Sequence, residues 1–145
     1  MRLAARALAG GVLGALATRP MNVAFGAGQR LGSIDTLPPL KVVKAVSPQL
    51  KKRRRAEVAA VSHLLIGATA GSAYVVVTPR VARGPGTGIL AGLVVWLIGY
   101  EIVMPPAAEM PVAHRDNRPR AITILLAHVV FGASLGLMTK LLLRR

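Results

Sequence analysis

The chain has 145 residues, no cysteine, and 19 Lys and Arg against 5 Asp and Glu, a formal charge of +14. Apolar letters make up 53% of it, aromatics only 3%, and mean hydropathy is +0.53, more apolar than an ordinary soluble domain of this size. The missing thiols exclude disulfides and thiolate chemistry, and few aromatics with no nucleic-acid motif make anionic lipid headgroups, not nucleic acid, the partner for the bases.

The first apolar segment runs from about residue 3 to 25, interrupted by Arg6 and Arg19, with Pro20 removing a backbone donor. A retained membrane helix is the preferred reading. The rival is a signal peptide with Arg2 in its n-region, Ala7 to Ala17 as its apolar stretch and Ala15-Leu16-Ala17 as a small-residue cleavage site.

A long loop follows over 26–57. Within it Pro38-Pro39 suits a helix start, and Val42, Val43 and Val46 recur at helical spacing, which predicts a short amphipathic helix over 38–46. Lys41 and Lys44 would then face phosphates while the valines enter the acyl boundary; the plainer reading is a loop helix packed on the bundle. The cluster Lys51, Lys52, Arg53, Arg54 and Arg55 stands just before the next apolar segment and reads as a lipid-facing topology anchor, each base being worth ~1 kcal/mol near an anionic leaflet.

Three further segments, about 58–78, 85–104 and 121–143, are each close to the ~20 residues a bilayer core requires. Pro79 and Arg80 end the first of these, and Lys140, Arg144 and Arg145 close the last at a depth where basic side chains snorkel.

Two of these segments contain near-copies, Val61-Ser-His-Leu-Leu-Ile-Gly-Ala-Thr-Ala-Gly71 and Leu126-Ala-His-Val-Val-Phe-Gly-Ala-Ser-Leu-Gly136. Gly10 and Gly14 in the first segment correspond to Gly88 and Gly92 in the third, and Gly67 and Gly71 to Gly132 and Gly136. Small residues four apart let helix backbones approach closely where lipid supplies no hydrophobic drive. The expected fold is therefore all-α: a single domain over 1–145, a polytopic four-helix membrane bundle built from two parallel two-helix hairpin repeats. An even number of spans per repeat gives both copies the same orientation, with an approximate two-fold axis along the membrane normal.

Both termini and the short loop 79–84 then share one face, and loops 26–57 and 105–120 the other. The loop face carries twelve bases against seven on the terminal face, which places those loops in the cytoplasm. All five acids, Asp35, Glu57, Glu101, Glu109 and Asp116, lie on or near the loop face.

His63 and His128 occupy equivalent places in the twin segments, about two turns below that face. Arg19, Asn22, Tyr100 and Glu101 approach the same level from the other helices, which makes Arg19, Asn22, His63, Tyr100, Glu101 and His128 a candidate polar cluster, with Arg19 and Glu101 able to pair. Two imidazoles could ligate haem b, two imidazoles with Glu101 a divalent metal, or the titratable groups could relay protons. The plainer reading has each histidine donating a hydrogen bond across a helix seam, with the glycine four residues on permitting close packing. No cofactor is expected on that reading. Gly84-Pro-Gly-Thr-Gly88 enters a span and is not a nucleotide fingerprint; nothing else has the spacing of an enzyme site.

Ala17-Thr18 with Met21, Arg30-Leu-Gly32 before Leu37-Pro-Pro39, Gly92-Leu-Val-Val-Trp96 and the two histidine segments together resemble the YagU-like family of small bacterial inner-membrane proteins. That resemblance implies four membrane helices, a largely unassigned function with a loose link to acid-stress tolerance, and no catalytic residues. The expected role is a membrane module or accessory subunit, as a homo-oligomer or within a larger membrane complex; the alternative is a cofactor- or ion-handling protein using His63 and His128.

Overall fold

The computed structural model describes residues 2–108 and 110–143, so Glu109, Arg144 and Arg145 lie outside the described residues. It is all-helical, with no strand among those residues. Helix α1 spans Leu3–Arg30, α2 Pro38–Val46, α3 Lys52–Val77, and α5 Arg118–Leu142. Between the last two, α4 runs as α-helix over Pro85–Leu97, as π-helix over Ile98–Val103 and as α-helix again over Met104–Ala108.

Five helices thus stand where the expected bundle had four, the additional one being the short α2 in the long loop. Three are long and apolar enough to cross a membrane: Lys52–Val77, Pro85–Ala107 and Arg118–Leu142. Helix α1 has the length but is not among them, because Arg6, Arg19, Pro20 and Asn22 dilute its apolar letters.

The helices extend beyond the apolar segments at their loop-face ends. Helix α3 begins at Lys52, so most of the basic cluster forms its first turn. Cations there oppose the helix dipole by about 0.3–1 kcal/mol each. Helix α1 continues to Arg30 and stops at Gly32, whose φ of +71° is the left-handed conformation that glycine adopts without a Cβ penalty. This turn lets Ser33 N–H bond Gly28 O at 2.9 Å. In α4, Pro105 and Pro106 lack the N–H groups that would bond Glu101 O and Ile102 O, and Met104 N–H instead reaches five residues back to Gly99 O. The π turn is the local answer to those two missing donors.

Helices α1 and α3 pack antiparallel over glycine. A Cβ added to Gly14 would collide with Gly67 O and lie 2.8 Å from Gly71 Cα, and one on Gly10 would lie 2.5 Å from Gly71 O. Helices α4 and α5 repeat the arrangement, a Cβ on Gly88 colliding with Gly132 O and lying 2.7 Å from Gly136 Cα. Gly71 and Gly136 hold the same place in the twin segments, so in contact terms Gly88 stands where Gly14 does and Gly84 where Gly10 does. This register differs by one helical turn from the alignment of Gly10 with Gly88. Residues four apart lie on one stripe, so spacing alone does not decide which member opposes which.

The middle seam joins α1 to α5. Leu13, Ala17, Met21 and Phe25 form a buried stripe on α1 and meet Ile124, Ala127, Phe131 and Leu135 in the core. Gly28 packs on the Thr123 side chain, and Ser33 Oγ lies 2.9 Å from Thr123 Oγ1. In sequence of contact the helices run α3–α1–α5–α4, while α3 and α4 barely touch. A two-fold axis relating the hairpins would carry the α1–α5 contact onto α4–α3, so the packing departs from the symmetric closed bundle. Helix α2 packs on α3 and on the 104–108 segment, burying Val43 and leaving Val46 exposed.

Candidate functional site

The six residues of the candidate polar cluster separate into three groups. Arg19 and Asn22 lie exposed on the outer side of α1, and no ion pair joins Arg19 to Glu101 among the described residues. Asn22 lines a shallow groove with Val23, Gly26, Ala27 and Arg30.

His63 and His128 stay inside the bundle, within electrostatic range of one another. The His63 ring lies 6.2 Å from that of Phe25, centroid to centroid. His128 Nδ1 is 2.8 Å from Ile124 O, one turn back on its own helix, and the His128 carbonyl faces Gly92 across the α4–α5 seam. With Nδ1–H donated to that carbonyl, Nε2 carries the lone pair available to a ligand or a second donor.

Tyr100 and Glu101 leave the histidines for a third group at the loop face, one that spacing did not point to. The π turn places them against the 110–120 connection. Tyr100 O–H donates to Asp116 Oδ2 in a short bond. Asp116 Oδ1 accepts from Asn117 N–H at 2.7 Å and from Arg120 Nη1 at 2.8 Å, and its side chain is 2% exposed. Arg120 Nη2 also stands 3.7 Å from Asp35 Oδ2, tying the long loop to the start of α5. Glu101 Oε1 accepts from Ala113 N–H at 3.2 Å, while Oε2 stands 4.0 Å from His114 Nδ1. One trace of this group in the sequence is the four-residue spacing of Asp116 and Arg120 just before an apolar run.

Such an arrangement is a clamp. A carboxylate removed from water is held by a phenol, a backbone N–H and a guanidinium, which compensate its desolvation and fix the two loops relative to each other. No set of three metal-ligating side chains converges among the described residues, and Glu101 points away from His63 and His128.

The basic cluster at the start of α3 is largely exposed. Arg53 and Arg54 pair with Glu57 at 3.1 and 3.6 Å, and Arg55 donates to Pro48 O at 2.6 Å. Lys51 and Lys52 stay in the open.

At the opposite end, Tyr74 O–H lies 2.9 Å from Thr87 Oγ1 and 3.4 Å from Gly84 O, pinning the start of α4 to the end of α3. Arg83 is buried there at 4% exposure, donating through Nη2 to Val75 O at 2.8 Å and through Nε to Thr78 O at 3.2 Å. Burial first, then the neighbouring Arg6 and Arg80 cations, lower its pKa from the ordinary guanidinium value.

Residues 1–145, the whole chain, match the family model of a family of unknown function, DUF6789. The chain belongs to the DUF6789 family. The match does not name the YagU-like family. No curated protein and no solved structure matches this DUF6789 chain.

Proposed function

We propose that this DUF6789 protein is a four-span integral protein of the inner membrane, acting as a packing module or accessory subunit of a larger membrane complex. The observation that carries the reading is the reversal of ordinary burial. Glycine backbones meet at the two hairpin seams, while large apolar side chains such as Leu64, Leu65, Ile66, Leu90, Val94, Leu126 and Leu141 face outward. Lipid or a partner helix, not water, suits that surface. Helix α1 serves as the fourth span: Leu8, Val12, Leu16 and Val23 continue the apolar exterior, and Arg19 reaches the loop-face headgroups by snorkelling. The excess of bases on the loop face orients loops 26–57 and 105–120 toward the cytoplasm.

The absence of native cysteine makes the topology directly testable. Single cysteines at Ser47 and Val81, labelled with a membrane-impermeant maleimide in intact cells and in inverted vesicles, are expected to react from opposite sides. Labelling of both from the same side removes α3 as a span, and the four-span arrangement with it. The accessory role predicts co-purification with larger membrane proteins in mild detergent, and a protein that runs alone in every gentle solubilisation refutes it.

The donation of His128 Nδ1 to Ile124 O favours a second reading, because a backbone acceptor of this kind orients metal-ligating imidazoles. His63 and His128 would then hold a haem b or a divalent metal, or pass a proton. A Soret band or bound metal lost in both His63→Ala and His128→Ala supports it. A colourless, metal-free protein of unchanged assembly sinks it.

A further inference from the structure

Among the described residues, Arg6, Arg80 and Arg83 at the terminal face have no acidic partner. Asp35, Glu57, Glu101 and Asp116, the described acids, are all engaged at the loop face with Arg120, Arg53, Arg54 and His114. Opposite them, Arg6 Nη2 and Arg83 Nη2 converge on a single acceptor, Val75 O, at 3.2 and 2.8 Å. Two guanidiniums drawn to one carbonyl oxygen repel each other, and Arg80 adds a third positive charge nearby. A carbonyl near the end of α3 carries a fraction of a charge, too little to balance three cations. Arg6 Nε is buried with no hydrogen-bond partner, and Arg83 uses only two of its five N–H groups. The buried Arg6 Nε calls for an acceptor that the protein itself does not supply.

A groove of about 250 Å³ opens beside them, lined by Arg80, Val81, Arg83, Thr139, Lys140 and Leu143. At ~30 Å³ per water in the liquid, it has room for a group of several heavy atoms. Val81 on its lip is 98% exposed, an apolar tip beside a cationic pocket at the end of the bundle.

We propose that Arg6, Arg80 and Arg83 form a phosphate-binding site at the terminal face, taking a phosphomonoester or phosphodiester group. A carboxylate has two oxygens and one charge. A phosphate group presents more oxygens in a tetrahedron and suits several guanidiniums, whose forked N–H pairs bind it bidentately. The group can belong to a lipid headgroup, for which Val81 supplies an apolar edge toward the acyl chains, or to a free phosphate compound. The site is distinct from the Lys51–Arg55 cluster, which lies at the other end of α3.

The test uses the full-length protein in neutral detergent and in nanodiscs of phosphatidylcholine with phosphatidylglycerol, with retained lipid counted by native mass spectrometry and inorganic phosphate binding followed by calorimetry. Arg80→Ala and Arg83→Gln are each expected to lower binding by about tenfold, the cost of one charge-assisted contact, while replacing Lys51–Arg55 with glutamine leaves the terminal-face binding in place. Should Arg83→Gln fail to fold, Arg80→Ala decides alone, since that side chain is exposed. Phosphate binding weakened in Arg80→Ala identifies the free compound and phosphatidylglycerol retention weakened in that variant identifies the headgroup; either supports the site. Binding of both probes unchanged within about twofold in Arg80→Ala, or neither phosphate binding nor a preference for phosphatidylglycerol over phosphatidylcholine in the unmodified protein, overturns it.

Discussion

Substituting Gly14 by alanine adds one methyl group at a place where the neighbour is backbone. The new Cβ would collide with Gly67 O and sit 2.8 Å from Gly71 Cα, against the ~3.5–4.0 Å of an ordinary carbon contact. No rotamer relieves this, so α1 and α3 have to part by about 1 Å along their seam and lose dispersion contacts on both sides. Overpacking of this kind costs ~1–3 kcal/mol, and contact with rigid backbone puts Gly14 at the upper end. Alanine also favours the helix over glycine by about 1 kcal/mol. The net expectation is a loss of ~2 kcal/mol, roughly thirtyfold in the unfolding equilibrium. Gly26→Ala on the same helix is the internal control, because nothing lies within 4 Å of its added Cβ. It is expected to be neutral or stabilising by up to ~1 kcal/mol. Both are measured by denaturant or thermal unfolding in one mild detergent, with helicity as the signal. Equal stability of Gly14→Ala and Gly26→Ala would show that the seam is not closed by backbone contact, and the packing argument would fall with it.

Tyr100→Phe removes one donor from Asp116 and is expected to cost ~1.5–3 kcal/mol; faster trypsin cleavage near Arg115 and Arg118 reports the loosened loop face, and an unchanged cleavage rate counts against the clamp. Asp116→Asn takes the charge from Arg120 while leaving Asp35 in place, so hydrogen exchange of the 31–37 loop and of the first turn of α5 should rise together; a rise confined to α5 would mean that the Asp35 tie is idle. Arg19→Leu should leave stability within about 0.5 kcal/mol in detergent, because the side chain is exposed and unpaired, and a larger loss would reveal a partner that the geometry lacks. Replacing Lys51, Lys52, Arg53, Arg54 and Arg55 with glutamine removes the excess of bases on the loop face and should produce mixed orientation in the single-cysteine labelling at Ser47 and Val81; a uniform orientation would assign topology to other bases.

Features with a local period were legible in the sequence. The small residues four apart at Gly10, Gly14, Gly67, Gly71, Gly88, Gly92, Gly132 and Gly136 announce a stripe on each long helix, and charge-free runs announce three of those helices. What escaped joins residues far apart in the chain. Asp35 meets Arg120 and Gly28 meets Thr123 through the α1–α5 seam, which no short-range pattern encodes. Glu101 was readable as an intramembrane acid seeking Arg19, but Pro105 and Pro106 loosen the ladder before them and place Glu101 against Ala113 and His114. The double proline was the available signal, since two missing donors in succession cannot leave an α-helix regular. The same stripes concealed their own register, and contact distances were needed to pair Gly88 with Gly136 in the way Gly14 pairs with Gly71.

Helices α3 and α4 are consecutive and yet barely touch, so a row of four helices at ~8–10 Å spacing has to curl for the seven-residue link from Thr78 to Gly84 to join its two ends. At the terminal face that link and the Tyr74–Thr87 contact draw the ends together; at the loop face α2 is wedged between α3 and the 104–108 segment and holds them apart. Three walls of the resulting barrel are protein against protein. The fourth is a slot, tied at one rim and propped at the other, so the angle between the two hairpins is set from the two ends of the bundle and not by packing along its length.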